Sequence, residues 1–143
     1  MTDHTILVGY GRVGRIIGTA LRKRNERFLV IESSDALVTE LREANIEVIA
    51  GNAAQPDVLT AANLTQTKYI IIAIPEAFEA GQVVRQARTA SPKSQIIARA
   101  HSDAEVEHLN SLGADKVIMG EREIARGMIE DFSARQSQNP DQA

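Results

Sequence analysis

Thr5-Ile6-Leu7-Val8-Gly9-Tyr10-Gly11-Arg12-Val13-Gly14 decides the fold. A short apolar run leads directly into G-x-G-x-x-G, and Val13, Ile17, Ala20 and Leu21 then recur at helical spacing. That order reads as strand, tight turn and helix, and this placement gives the glycine pattern its weight. Gly9 permits the turn, Gly11 lets a phosphate approach the backbone, and Gly14 allows close helix–strand contact. The helix N-terminus adds free N–H donors, so an anion is expected there.

Outward from this turn the same alternation continues. Five further apolar, β-branched runs follow: Phe28 to Ile31, Glu47 to Ile49, Tyr69 to Ile72, Gln95 to Ala98 and Lys116 to Ile118. They are too short and too uniformly apolar for half-exposed antiparallel strands, so a parallel sheet covered on both faces is expected. The covering helices show stripes at Leu37, Leu41 and Ala44 and at Ala80, Val83, Val84 and Ala87. Ser102 and Glu105 have capping-box spacing, Gly113 stops that helix, and Pro92 follows the end of the one before it. Residues 4 to 50 and 69 to 119 repeat one plan around a linking helix near Asp57 to Ala62. The expected fold class is α/β, a Rossmann-like doubly wound parallel six-stranded sheet in a single domain. An extra amphipathic helix, Glu121 to Phe132, carries Ile124, Ala125, Met128, Ile129 and Phe132 on one side, and residues 133–143 read as a disordered tail.

Composition narrows the function classes. At 143 residues, 43% hydrophobic and 24% charged, the chain suits one soluble globular domain. A net charge of −3 with both signs interspersed gives no broad basic face, which argues against nucleic acid as a partner. The absence of cysteine removes disulfides, thiol nucleophiles and cysteine-based metal sites, and fits a reducing compartment. No apolar run approaches the roughly 20 residues of a spanning helix. The first strand begins almost at Met1, which suits a domain cut from a longer protein.

The candidate ligand-binding residues gather where strands end. Glu32 closes the second strand, where a carboxylate accepts hydrogen bonds from ribose hydroxyls and repels a 2′-phosphate; Ser33 adjoins it. Arg12, in the first helical turn, either contacts the phosphate or points into water, since a cation there is disfavoured unless an anion intervenes. Asn52 and Ala53 follow the third strand, and Asn52 either contacts base or ribose, forms an Asx turn, or does both. Ile74 lies at the switch point and is expected against ribose or phosphate, with Glu79 in the next helical turn. Arg99 and Glu121 end or follow the last two strands and either line the cleft, cross a dimer seam, or lie on the surface, where Arg99 would pair with a residue such as Glu76, Glu79 or Glu123. His4, His101 and His108 lack metal-ligand spacing and read as structural or solvated. No acid–base or nucleophilic set emerges, so the chain is read as a binding module and not an enzyme. The alternative is the cofactor half of an NAD-dependent oxidoreductase.

Gly9 to Gly14, Glu32, Gly51-Asn52-Ala53, Ile97-Ala98-Arg99-Ala100-His101 and Gly120-Glu121-Arg122-Glu123-Ile124-Ala125 together make the chain resemble the RCK, or TrkA-N, regulators of potassium transport. The likeness is strongest to the cytoplasmic C-terminal domain of YbaL/Kef-type monovalent cation:proton antiporters. It implies a regulatory domain fused after a transmembrane antiporter, at the cytoplasmic face of the inner membrane and paired as a homodimer. The implied ligand is an adenine nucleotide, AMP first and NAD(H) second. Many such lobes carry Asp where this chain has Asn52. Glu76, Glu79 and Glu121 along the second half of the edge also disfavour a second phosphate.

Overall fold

The computed structural model describes residues 3–138. In chain order the elements are β1 (Thr5–Val8), α1 (Arg12–Lys23), β2 (Phe28–Glu32), α2 (Asp35–Glu43) and β3 (Val48–Ala50). They continue through α3 (Pro56–Ala61), a 3-10 turn (Leu64–Gln66), β4 (Tyr69–Ile72), α4 (Ala77–Ala90), β5 (Gln95–Ala100), α5 (Asp103–Leu112), β6 (Lys116–Met119) and α6 (Gly120–Gln138). All strand pairs are parallel in the order β3-β2-β1-β4-β5-β6, the doubly wound arrangement read from the sequence.

Strand alternation divides the core. Ile6, Val8, Ile31, Ile70, Ile72 and Ile96 point to one face, where Leu59, Val83, Val84, Ala87 and Leu109 of α3, α4 and α5 cover them. Leu7, Val30 and Phe28 point to the other, under α1 and Leu41 of α2. Each such fully buried aliphatic side chain contributes about 1.5–3 kcal/mol, so the apolar strands dictate a two-faced sheet. On α2 the buried pair is Val38 and Leu41, while Ala44 of the expected stripe is exposed.

Helix ends are fixed by backbone chemistry. Asn25 and Asn45 take left-handed φ angles of 57° and 60° just past α1 and α2. Their amides return to Arg22 and Arg42, and the next amides, Glu26 and Ile46, return to Leu21 and Leu41. Gly113 (φ 119°) closes α5 in the same way. These are Schellman ends, in which the left-handed residue and the one after it each donate to an orphan carbonyl. The Ser102 hydroxyl caps α5 by accepting from the Glu105 amide at 3.2 Å, and the Glu105 carboxylate accepts from the His101 amide at 2.8 Å.

The C-terminal helix differs from the sequence expectation. It starts at Gly120, directly on β6, and runs through Ser133 to Gln138. Ala134, Arg135 and Gln136 are good helix formers, and Arg135 pairs with Asp131 one turn earlier at 2.6 Å. The first half of a polar end read as a tail therefore continues the helix, and residues 139–143 of the expected tail lie outside the described residues.

Candidate nucleotide-binding site

The β1–α1 turn is built by mutual exclusion of side chains. A methyl placed on Gly14 would lie 2.0 Å from the Gly9 carbonyl oxygen, so only glycine lets α1 start this close to its own turn. Gly9 adopts φ 93° and donates its N–H to the Ile31 carbonyl at 2.9 Å. Nothing lies within 4 Å of where a Cβ of Gly11 would sit, so the loop is open to solvent there. α1 has no side-chain cap and no acidic residue in its first turn. Its first backbone bond, Arg15 N–H to Gly11 C=O, leaves the amides of Arg12, Val13 and Gly14 ahead of any intrahelical acceptor.

Glu32 is only 9% exposed and already holds two loops. One carboxylate oxygen accepts the Tyr10 amide at 2.8 Å, and the other accepts the Ser34 amide at 2.8 Å. A carboxylate offers about four lone-pair positions, so two remain for hydroxyls of a ribose. The same residue thus shapes the glycine turn and presents acceptors beside it. Ser34 in turn caps α2, its hydroxyl accepting from the Leu37 amide at 3.4 Å.

A cleft of about 160 Å³ forms where these loops meet the ends of β3 and β4. Of the residues singled out from the sequence, Gly9, Glu32, Ser33, Asn52, Ala53, Ile74 and Glu79 line it, joined by Val8, Ile31, Gly51, Ala73 and Pro75. Gly11 and Arg12 are exposed in the turn that follows Gly9 and are not among its lining residues. Val13 packs against the core on the α1 side, and Gly14 is buried. The Asn52 side-chain oxygen accepts the Ala54 amide at 2.9 Å, an Asx turn that still leaves its NH₂ group free to donate.

Three of the singled-out residues stand elsewhere. The Tyr10 ring is buried between sheet and α1, close over Gly18 and 5.4 Å from the Arg15 guanidinium, so only its backbone faces the turn. The apolar environment of the α1 stripe draws the ring inward. Arg99 is half-buried on β5 and Glu121 is exposed in the first turn of α6; neither lines the cleft. Of the carboxylates considered for Arg99, Glu123 is held by Arg126 at 2.7 Å, Glu76 accepts the amides of Phe78 and Glu79 at 2.8 Å each, and Glu79 lines the cleft.

Sequence reasoning missed two features at this edge. Glu76 caps α4, although Glu is outside the usual capping set of Ser, Thr, Asp and Asn. The His101 ring meets the Pro75 carbonyl through Nε2 at 2.7 Å, a contact across 26 residues with no local signal. At the opposite edge of the sheet, just before β1, His4 is fully buried, with Nε2 3.0 Å from the Ala62 carbonyl and Nδ1 unpartnered, the structural one of its two expected readings. The arginines held above their ordinary range, Arg15 by its hydrogen bond to Glu40 and Arg126 by its bond to Glu123, both lie on exposed helix surfaces. Among the described residues no group of three or more His, Cys, Asp or Glu side chains could hold a metal, and no helix is long and apolar enough to cross a membrane.

The chain as a whole matches a known family. Residues 5–120 match the TrkA-N domain model. The chain is 46% identical over 128 residues to the putative cation/proton antiporter YbaL of Escherichia coli, covering 90% of this chain and 23% of that protein. It therefore spans about a quarter of the length of that relative. The crystal structure of the TrkA-N domain of E. coli YbaL superposes with a TM-score of 0.88 at 45% identity, covering 91% of this chain and 96% of that one. The AMP-bound form of the Shewanella denitrificans Kef C-terminal domain superposes with a TM-score of 0.78 at 25% identity, covering 92% and 80%. With the family's model spanning every strand of the sheet and the glycine turn at its centre, the chain belongs to the TrkA-N domain family.

Proposed function

We propose that this domain is a regulatory module that binds AMP, with NAD(H) as the second candidate, and passes the binding state to an ion-transport partner without turning the nucleotide over. The observation that carries the reading is the uncapped N-terminus of α1 behind Gly9 and Gly11, set beside the Glu32 carboxylate. The free amides suit one phosphate, Arg12 adds an exposed cation in the same turn, and Glu32 suits ribose hydroxyls and repels a 2′-phosphate. Asn52 and Ile74 line the same cleft, which supports reading them as contacts to the base and ribose. The AMP-bound Kef relative supports the choice of ligand.

The kinship to YbaL supports a parent chain in which this domain follows a transmembrane cation:proton antiporter, at the cytoplasmic face of the inner membrane. α6 supports pairing as a homodimer. Ile124, Met128, Ile129 and Phe132 lie 57–68% exposed along one side of it, while Glu123, Arg126 and Glu130 pair among themselves on the other. A contiguous apolar strip of this kind marks an association surface. Nucleotide then acts by binding one arrangement of the paired lobes better than another, which sets how far it biases transport.

Thermal unfolding with AMP, ATP, NAD, NADH and NADPH at equal concentrations tests the reading. AMP should raise the midpoint most, by about 2.7 kcal/mol of stabilisation at a hundredfold excess over Kd. Glu32→Gln, which keeps one acceptor oxygen, should lose most of that shift. No shift with any nucleotide removes the proposal, and consumption of the nucleotide would replace it with an enzymatic one.

A further inference from the structure

The cleft is confined to one half of the sheet edge. Its lining comes from the ends of β1, β2, β3 and β4 and from Glu79 of α4, and Pro75 forms part of its far wall. A dinucleotide in a doubly wound fold crosses the switch point and lays its second nucleotide over the strands beyond, here β4, β5 and β6. Two side chains stand in that path. His101, one residue past β5, holds the Pro75 carbonyl at 2.7 Å and so bridges the loop after β4 to the loop after β5. Glu76 occupies the N-terminus of α4, its carboxylate taking the amides of Phe78 and Glu79.

We infer that Glu76 and His101 are specificity-determining positioning residues that restrict the site to a single nucleotide. The inference rests on the nucleotide-binding reading above and deepens it. His101 acts sterically, by keeping Pro75 tied across the gap through which a second ribose would pass. Glu76 acts electrostatically, by consuming the donors of the second helix N-terminus and setting a negative charge there. Glu79, lining the cleft at the next turn, adds to the same field. Neither residue lines the cleft, so changing them leaves the first nucleotide's contacts in place.

The test is calorimetric titration of AMP and NAD into the purified domain and into His101→Ala, Glu76→Ser and the double variant. Serine keeps a preferred helix cap without the charge, so α4 stays formed. The wild type should bind NAD about tenfold more weakly than AMP or worse, which is about 1.4 kcal/mol. The double variant should bring the two dissociation constants to within about threefold of each other, by tightening NAD while AMP moves by about twofold or less. The inference is overturned if the wild type binds both equally, if the ratio is unchanged in the double variant, or if AMP and NAD shift together. A wild type that binds neither overturns the nucleotide reading itself, and this inference with it.

Discussion

The two halves of the sheet share one plan and end in opposite chemistry. At the β1–α1 turn the chain uses Gly9, Gly11 and Gly14, leaves the helix uncapped and puts a cation, Arg12, in the first turn. At the corresponding β4–α4 turn it uses Ala73, Ile74, Pro75 and Glu76, caps the helix with a carboxylate and puts Glu79 at the position that Gly14 holds in α1. The first helix offers its N-terminal donors to an external anion, while the second satisfies them internally. Architecture alone makes a doubly wound sheet symmetric, so the distinction between an open and a closed helix N-terminus rests on the turn residues.

The sharpest way to break the contrast is Gly14→Ala. The new methyl would meet the Gly9 carbonyl at 2.0 Å, a backbone atom that cannot swing away as a side chain could. A loss of about 4 kcal/mol or more is expected in urea unfolding, at the extreme of single-substitution effects. The matched change in the second half, Glu79→Ala, should cost less than about 1 kcal/mol, because no backbone closure depends on it. Equal losses at the two positions would mean that the glycine turn is not the tighter structure.

Glu32→Ala comes next. It strips acceptors from the Tyr10 and Ser34 amides, and about 2 kcal/mol of stability should go with them even without ligand. Glu32→Gln retains one acceptor oxygen and should cost about half as much. If the two substitutions matched each other in stability and differed only in AMP affinity, Glu32 would be a ligand contact alone and not a staple of the turn.

This dual use explains what the sequence could and could not disclose. Strand runs, the sheet order and the glycine turn are legible because apolar period and glycine spacing are local, and seven of the residues drawn from them meet in one cleft. Tyr10 was misplaced by the same logic: its position inside the motif drew it to the ligand, but its ring belongs to the apolar stripe beneath α1. Arg99 lies near the strand ends without reaching the cleft, because position along a strand fixes height and face but not lateral distance across the sheet. The Glu76 cap and the His101–Pro75 bond come from an unusual capping residue and a long-range contact, and neither leaves a pattern in the sequence. The end of α6 was missed because polar helix formers and a polar tail have the same composition.

A smaller effect separates the two helix N-termini directly. Glu76→Ala uncovers the amides of Phe78 and Glu79 and should cost about 1 kcal/mol, the usual value of a lost cap. Restoration by Glu76→Ser would show that the cap, not the charge, supports α4. No equivalent change exists at α1, where Gly11 contributes no side chain to remove.

Arg12→Ala gives the smallest effect on the free domain and the most discriminating sign. Without ligand, removing a cation from the positive end of α1 should raise stability by a few tenths of a kcal/mol, up to about 0.5. With saturating AMP the sign should reverse, because the phosphate loses a charge-assisted partner and affinity falls about tenfold, or about 1.4 kcal/mol. Paired unfolding curves with and without AMP read both quantities from the same two proteins. Raising the salt to about 1 M, where the screening length is about 3 Å, should shrink both differences, since Arg12 stands exposed in the turn. A substitution that is neutral in both conditions would assign the phosphate to the backbone amides of the turn alone, leaving Arg12 in solvent and the asymmetry between the halves to the glycine turn on one side and the Glu76 cap on the other.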